Sequence, residues 1–503
     1  MVELRDAICA GAPIALFTFL LAGVKVPATK AATCGLAAAV VSGMLFFSCS
    51  FELLGWSAAK GTWNALVIFT VITPALFIYE LLRRAGMFEV IRRKVEFGIR
   101  SDLLRVLFVG WAFSSFLQSI TGFGVPVAVT APILVSLGLD PIRAVLICIL
   151  GHAWGGTFGT LALAWDSLFL QVPEASNASH LVFYTCILLW VYNFICGLLI
   201  CLLYRGRAVR PHDLGTAAFV SAFQGGGQLI FAQISASTAC FMGAVLSMGG
   251  IFVISCLDKS ERRTTERSDV PLLHIVFPFV VLTGFVLFCL LIRPVNRFLS
   301  AYQVGLPIPD GAGGWRIYSP LSIFTHSGTL LLASGILSLL FYWYKGYLGG
   351  AEIWLAARDA LKKATGSIIP ILLLLMMSKV MDGTGQILAL ANGIAGALAP
   401  VYPAVAPLVG VLGSFISSSN MSSNILFAGF QYQAAQVIGA NPAAILAAQT
   451  AGGSVGNLVA TSNIVLGLST AGAPEREGEV LRFMLPVALG CGLVLGLLTV
   501  CFC

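Results

Sequence analysis

Long apolar runs alternate with short polar segments along almost the whole chain. The runs recur from Ile8 to Cys503, and each is about 20 residues long, the length that a helix needs to cross the hydrocarbon core of a bilayer. No polar segment is longer than roughly 30 residues, so the chain has no room for a separate soluble domain. The pattern predicts an all-α polytopic membrane protein with about 12 transmembrane helices.

Two apolar stretches are interrupted by small and polar residues. QSITGFG at 118–124 divides the stretch from 104 to 139, and SFISSSNMSSN at 414–424 divides a second. Backbone that leaves a helix at membrane depth is tolerated only where it is buried in protein or lines a wet cavity. The halves of the first stretch, about 13 residues each, are too short to cross the bilayer. We therefore predict two re-entrant helical hairpins, at 104–138 and 404–438.

Basic loops set the expected orientation. Lysine and arginine are concentrated at 81–105, at 205–210, at 258–267 and around Lys345, and these segments should be cytoplasmic. A single crossing by the first interrupted stretch would leave the arginines at 205–210 outside. A re-entrant hairpin or two spans would keep them in the cytoplasm, and we favour the hairpin because the halves are short.

The chain also repeats itself. The segments 134–160 and 435–461 both contain Gly-x-Asp/Asn-Pro, then an apolar helix, then a Gly-Gly pair. Each follows one of the interrupted stretches, and our helix count makes the two copies enter the membrane from opposite sides. This arrangement is the inverted repeat of secondary transporters.

The expected organisation follows from the repeat. We predict two N-terminal transmembrane helices in 1–60, a first transport repeat in 61–170, scaffold-type transmembrane helices in 171–364, a second transport repeat in 365–475 and a C-terminal transmembrane helix in 476–503.

Composition excludes several classes of protein. With 503 residues, 58% hydrophobic and 10% charged, and a mean hydropathy of +0.93, the chain is not a water-soluble globular protein. The net charge of +7 lies mostly in loop lysines and arginines, which orient the protein and do not indicate nucleic acid. The 13 cysteines lie mostly within apolar runs and are expected as small buried side chains. An intramembrane enzyme would need an acid, a metal cluster or a nucleophile with its base, and His152 stands at membrane depth almost alone, so no enzyme is expected.

The breaks offer polar groups to a small solute. Val125 and Pro126 begin a half-helix whose N-terminal end carries partial positive charge, which favours a carboxylate. The returning helix of the second hairpin is expected to begin at Met421, with residues 422–424 as candidate caps. The second break of each copy, GHAWGGTFGT and TAGGSVGNLVATSN, should lie opposite its hairpin tip.

These motifs resemble the lactate permease family. SFLQSITGFGVPVAVTAPILVSLGLDP, GVLGSFISSSNMSSNILFAGFQYQAAQVIG and TAGGSVGNLVATSNIVLG occur in the family's order, and RFMLPVALG near the C-terminus also fits. The resemblance implies a secondary transporter that moves short 2-hydroxy monocarboxylates, such as lactate and glycolate, together with protons. It also implies a fold of the ion-transporter superfamily, which uses paired re-entrant hairpins and often forms dimers.

This chain departs from the family at three positions. The family usually has glutamate where Gln118 stands, aspartate where Asn420 stands and lysine where Asn457 stands. An amide cannot gain and lose a proton as a coupling carboxylate does. Coupling therefore moves to His152, or the coupling ion is sodium, for which amide, hydroxyl and carbonyl oxygens are suitable ligands, or transport is uncoupled.

The expected site is assembled from both hairpins and both second breaks. The candidate substrate-binding residues are Gln118, Ser119, Thr121, Gly122, Gly124, Val125, His152, Ser418, Ser419, Asn420, Met421, Ser422, Ser423, Asn424, Asn457 and Thr461. The candidate ion-coupling residues are Asn420, Asn424, Ser462, Asn463 and His152.

The expected function is ion-coupled symport of a small organic anion across the cell (inner or plasma) membrane, by alternating access. The expected partners are that anion and the lipid bilayer, with a homodimer as the assembly. No cofactor is expected besides Na⁺ or H⁺ as the coupling ion, and no transition metal. A larger or neutral organic substrate, a channel and a membrane-embedded enzyme are the alternatives that the sequence leaves open.

Overall fold

A computed structural model describes residues 2–24, 26–122, 124–178, 180–257, 269–309 and 314–503. Ten of the described helices are long and apolar enough to cross a membrane, or up to eleven if a bent pair counts as one span. The prediction of an all-α polytopic membrane protein is confirmed. The expected cytoplasmic loop at 258–267 lies outside the described residues.

The chain is almost entirely helical. The helices before the two β-strands are α1 (Val2–Thr18), α2 (Ala28–Phe46), α3 (Phe51–Arg84), α4 (Met87–Gly98), α5 (Asp102–Leu107), α6 (Ser114–Ile120), α7 (Val125–Ser136), α8 (Pro141–Ala153), α9 (Gly159–Gln171), α10 (Leu181–Arg205), α11 (Pro211–Ala232), α12 (Ala236–Leu257), α13 (Leu272–Val286) and α14 (Arg293–Ser300). The later elements are β1 (Gln303–Pro309), β2 (Trp315–Ser322), α15 (Ser327–Tyr344), α16 (Gly350–Gly383), α17 (Gln386–Leu398), α18 (Tyr402–Ser417), α19 (Asn420–Ile438), α20 (Pro442–Gly456), α21 (Thr461–Thr470) and α22 (Glu477–Val500).

The elements group into two compact units. Unit 1 comprises Met1–Ser50, Gly98–Arg263 and Val380–Cys503, and unit 2 comprises Phe51–Phe97 and Thr264–Lys379. Both interrupted stretches lie in unit 1, and so do α10, α11 and α12, which pack in sequence on one another.

The first interrupted stretch forms two helical arms. A π-helical segment, Phe108–Phe113, joins α5 to α6, so the first arm is a continuous 19-residue helix, Asp102–Ile120. This arm is longer than the 13 residues that we expected, because the helix persists through the polar residues as far as Ile120. The second arm, α7, has 12 residues. The chain turns between the arms at Gly122 and Gly124, whose φ angles of 57° and 79° suit glycine because it has no Cβ.

The second interrupted stretch also forms two arms, α18 with 16 residues and α19 with 19. Small residues let these helices pack closely on their neighbours. A Cβ added to Gly452 of α20 would overlap the carbonyl of Pro407 in α18, and a Cβ added to Gly496 of α22 would overlap the carbonyl of Ala404.

The order of elements recurs along the chain. A 34-residue helix with an internal proline begins each series, α3 with Pro74 and α16 with Pro370. A shorter helix, two hairpin arms, and then a helix with a proline in its first turn that ends in a 3₁₀ turn follow in both. The predicted domain boundaries near residues 60 and 364 fall inside α3 and α16, because both helices continue through them without a break. The repeat assignment itself remains a prediction.

Unit 2 contains a small sheet that the sequence analysis missed. Strands β1 and β2 pair antiparallel, with a register shift between Val304 and Leu306. The Trp63 indole of α3 donates a hydrogen bond to the Ser319 carbonyl of β2 at 3.0 Å. Two prolines in β1 and one in β2 weaken the strand signal in the sequence.

Charged side chains join the two long helices within unit 2. Glu80 of α3 is fully buried and accepts hydrogen bonds from Lys363 of α16 at 2.6 Å and from Arg83 at 2.7 Å. Arg84 contacts Asp359 of α16 at 2.5 Å. A buried carboxylate requires such partners, because desolvation penalises an unpaired charge.

We expect Glu80→Gln to destabilise unit 2 by about 2 kcal/mol, because the amide keeps the shape and loses both charge-assisted bonds. The check is thermal unfolding of the purified protein in detergent. Glu89→Gln on α4 is the matched control, since Glu89 is 49% exposed and an exposed ion pair contributes little. Equal shifts for the two variants would contradict the importance of the buried contact.

Candidate functional site

Four breaks in helical structure meet around one cavity in unit 1. The two hairpin tips and the 3₁₀ turns that follow α8 and α20 contribute to its wall. The predicted residues that line it are Gln118, Gly122, Gly124, His152, Ser418, Ser419, Asn420, Met421, Asn457 and Asn463. The expected convergence of hairpin tips and second breaks is therefore present in the structure.

The first tip is a glycine turn. The Val125 N–H donates to the Gly122 carbonyl at 3.0 Å, and α7 begins at Val125 with Pro126 in its first turn, as the sequence predicts. A Cβ on Gly122 would overlap Oγ1 of Thr160, and one on Gly124 would lie 3.1 Å from Oδ1 of Asn463. Glycine is therefore needed here for space as well as for backbone conformation.

The second tip is built from serine. Ser418 has a left-handed backbone, with φ 55° and ψ 25°. Ser419 is extended and caps α19, because its hydroxyl accepts the Ser422 N–H at 3.4 Å. The returning helix therefore begins at Asn420, one residue before the predicted start. The predicted caps at 422–424 were wrong, since these residues lie inside the helix.

The break after α8 contains an unusual turn. The residues Trp154–Gly156 form a 3₁₀ turn. Thr160, Leu161 and Ala162 then have φ angles of 49°, 52° and 67°, and α8 and α9 meet at a bend of 46°. Left-handed backbone costs roughly 1–2 kcal/mol for each residue other than glycine, so this turn stores strain beside the cavity.

A buried polar cluster joins the second tip to both breaks. The amide nitrogen of Asn420 lies 3.2 Å from Thr157 Oγ1, 3.1 Å from the Thr450 carbonyl and 3.1 Å from Ser454 Oγ. Thr157 itself donates to the Thr450 carbonyl at 3.0 Å. The Asn420 oxygen has no hydrogen-bond partner within the described part of the chain, and the same is true of the Ser414 hydroxyl.

A chain of amides extends from this cluster along the second hairpin. The Asn424 amide donates to Thr450 Oγ1 at 3.0 Å and to the Ala164 carbonyl at 2.8 Å. Gln449 donates to Ser423 Oγ at 3.1 Å. Gln431 donates in turn to the Gln449 oxygen at 3.0 Å. These bonds hold the hairpin in one register against α20.

His152 occupies the wall near the end of α8. Its side chain is buried, and Nδ1 lies 2.7 Å from the Cys148 carbonyl oxygen. Its Nε2 has no partner among the described residues.

Three further amides complete the wall, those of Gln118, Asn457 and Asn463. Two glycines make room for them: a Cβ on Gly159 would stand 2.9 Å from Gln118 Nε2, and one on Gly156 would stand 2.5 Å from Asn457 Nδ2. Among the described residues, the cavity is lined by no carboxylate, lysine or arginine, and His152 is its one titratable side chain. The site is therefore neutral and rich in groups that both donate and accept hydrogen bonds.

The remaining predicted residues lie away from the wall. The Ser119 and Thr121 hydroxyls donate to the carbonyls of Phe116 and Leu117 within their own helix. The structure also places Val125, Ser422, Ser423, Asn424, Thr461 and Ser462 outside the lining. Ser423 and Asn424 are instead engaged by α18, α20 and α9 through hydrogen bonds.

The sequence analysis missed five residues of the wall. They are Gly156, Gly159, Thr160, Leu163 and Ala164. The break GGTFGT contains three of the five, and its density of glycine is the signal that could have identified them.

The family model and the related sequences match nearly the whole chain. The family model described as L-lactate permease matches residues 6–301 and 315–503. An L-lactate permease of Halalkalibacterium halodurans is 26% identical over 510 residues, covering 96% of this chain and 94% of that protein. Glycolate permease GlcA of Escherichia coli is 25% identical over 549 residues, covering 98% and 95%. The YdaH transporter structure of Alcanivorax borkumensis covers 89% of this chain and 87% of its own, with 15% identity and a TM-score of 0.49.

We expect Gly122→Ala to lower the thermal stability of the purified protein clearly more than Gly138→Ala. Both glycines have positive φ, so both variants incur about 1 kcal/mol of backbone strain. Only the Cβ at position 122 meets another atom, Thr160 Oγ1, whereas nothing lies within 4 Å of one at position 138. Equal melting temperatures for the two variants would contradict the close packing of the tip on the left-handed turn.

Proposed function

Because the chain belongs to the L-lactate permease family, we propose that it carries a small 2-hydroxy monocarboxylate of the lactate or glycolate type by ion-coupled symport with alternating access. The protein is a multi-pass transporter of the plasma membrane and not an enzyme. The observation that carries the proposed substrate is the neutral, amide-lined cavity between the two hairpin tips.

The cavity wall suits a carboxylate despite its lack of charge. The α7 and α19 helices begin at the two tips, and their N-terminal ends carry partial positive charge. Gly124 and Ser419, the residues just before these helices, both line the cavity. The amides of Gln118, Asn457 and Asn463 add N–H donors that a carboxylate oxygen accepts. A substrate with a single charge fits this supply of partial charges better than a dianion.

We propose sodium as the coupling ion. The Asn420 carbonyl oxygen and the Ser414 hydroxyl are buried and unpartnered within the described chain, and neutral oxygens of this kind are suitable ligands for a hard cation. A proton carried by His152 is the second candidate, favoured by the unpartnered Nε2 in the same wall. The assembly that we propose is a homodimer, which mass measurement in detergent tests.

We expect labelled L-lactate uptake into proteoliposomes to rise several-fold with an inward sodium gradient at equal pH. A proton gradient without sodium should leave uptake near the level seen without any gradient. Uptake driven only by the proton gradient would support His152 as carrier and contradict the sodium proposal. Counterflow without response to either gradient would indicate uncoupled transport, and saturation separates a carrier from a channel.

We expect Gln118→Glu to weaken lactate uptake about 10-fold at neutral pH and to make it rise as the pH falls. The new carboxylate repels the anion while it is ionised and stops doing so once protonated. Gln303→Glu on the exposed strand β1 is the matched control and should transport as the unaltered chain does. An unchanged pH profile for Gln118→Glu would contradict the placement of the substrate beside Gln118.

A further inference from the structure

One imidazole in the cavity wall has a defined tautomer. His152 Nδ1 lies 2.7 Å from the backbone carbonyl oxygen of Cys148. A carbonyl oxygen can only accept, so Nδ1 is the protonated nitrogen. In the neutral ring, Nε2 then carries a lone pair and no hydrogen.

No described residue donates a hydrogen bond to that lone pair. His152 is 1% exposed, and Nε2 has no hydrogen-bond partner among the described residues. A buried acceptor without a partner is costly and uncommon in a folded protein. Since His152 belongs to the cavity wall, a molecule in the cavity can supply the missing donor.

The imidazole lines the same cavity as the amides proposed to hold the carboxylate. Gly156, four residues after His152, lines it as well. The Asn457 amide nitrogen lies against that same Gly156. The wall therefore combines amide donors with one nitrogen acceptor that has no partner within the described chain.

A carboxylate cannot satisfy Nε2, because its oxygens only accept hydrogen bonds. A hydroxyl on the neighbouring carbon can donate to it while the carboxylate takes the amide N–H groups. We infer that His152 is the residue that selects 2-hydroxy acids, with its Nε2 accepting the hydrogen bond of the substrate's 2-hydroxyl group. The inference rests on the proposed function and assigns the part of that site that reads the hydroxyl.

The first test changes the substrate and leaves the protein intact. Propionate lacks only the hydroxyl of lactate, and 2-fluoropropionate replaces it with a group of similar size that cannot donate. Unlabelled lactate should compete for labelled L-lactate uptake by the unaltered chain about 10-fold better than either analogue, since each leaves Nε2 unpaired. Equal competition by lactate and 2-fluoropropionate overturns the inference without any mutation.

The second test removes the acceptor. His152→Phe keeps an aromatic ring of similar size, and His152→Leu is a second chain without an acceptor in case the first does not fold. In either variant, the affinity for lactate should fall to within about 3-fold of the affinity for propionate. The affinity for propionate itself should change little. His152→Gln, whose side-chain oxygen can accept, should restore part of the preference. Leu163→Met, a change elsewhere in the wall, should alter the competition by lactate and the competition by propionate by the same factor.

Binding provides a readout where transport is slow. Stabilisation of the purified protein against heat by lactate and by propionate reports affinity directly. If the acceptor-free variants fold and still prefer lactate as strongly as the unaltered chain, the role of His152 is wrong while the transporter proposal stands. If the unaltered chain neither transports nor binds lactate, the proposed substrate fails, and the His152 inference fails with it.

Discussion

Peptide groups that leave a helix inside a bilayer must find hydrogen-bond partners within the protein, and this constraint determines the organisation of unit 1. Within the described chain, four helices, α6, α8, α18 and α20, end at the breaks around the cavity. Their ends are brought together, as expected for backbone that must not face lipid. The residues at these breaks form hydrogen bonds with one another. A single cluster of hydrogen bonds joins Thr157 after α8 and the Asn420 amide nitrogen at the second tip to Thr450 and Ser454 on α20. The cavity occupies the space that this convergence leaves open.

In the site that we propose, neutral groups take the place of the charged side chains found in many anion sites. Helix ends and amides supply partial charges with fixed directions, and they avoid the desolvation cost of a buried arginine or lysine. Their arrangement depends on glycine, because Gln118 and Asn457 occupy space that a side chain at Gly159 or Gly156 would take. The polarity of the site and the packing around it therefore arise from the same few positions.

Much of the fold and of the candidate site could be predicted from the sequence. Clusters of glycine, serine and asparagine inside apolar runs located both tips, and Gly-x-Asp/Asn-Pro located the starts of α8 and α20. The family resemblance on the same motifs is confirmed. The cap at Ser419 was missed because seven serines and asparagines within the eight residues 417–424 give several equivalent candidates, and only the three-dimensional turn distinguishes them. The left-handed turn at Thr160–Ala162 was not predictable, since these residue types do not favour that conformation and tertiary contacts impose it. Strands β1 and β2 were hidden by their prolines.

The amide at position 420 has a consequence for the environment in which the protein can operate. A carboxylic acid at that position could donate a hydrogen bond to the Thr450 carbonyl only while it is protonated. It would lose that hydrogen bond when ionised. Asn420 offers its N–H groups at every pH. The hydrogen bonds that Asn420 donates between the second hairpin and α20 and the break after α8 therefore do not depend on the protonation of this side chain, whatever the pH of the surroundings.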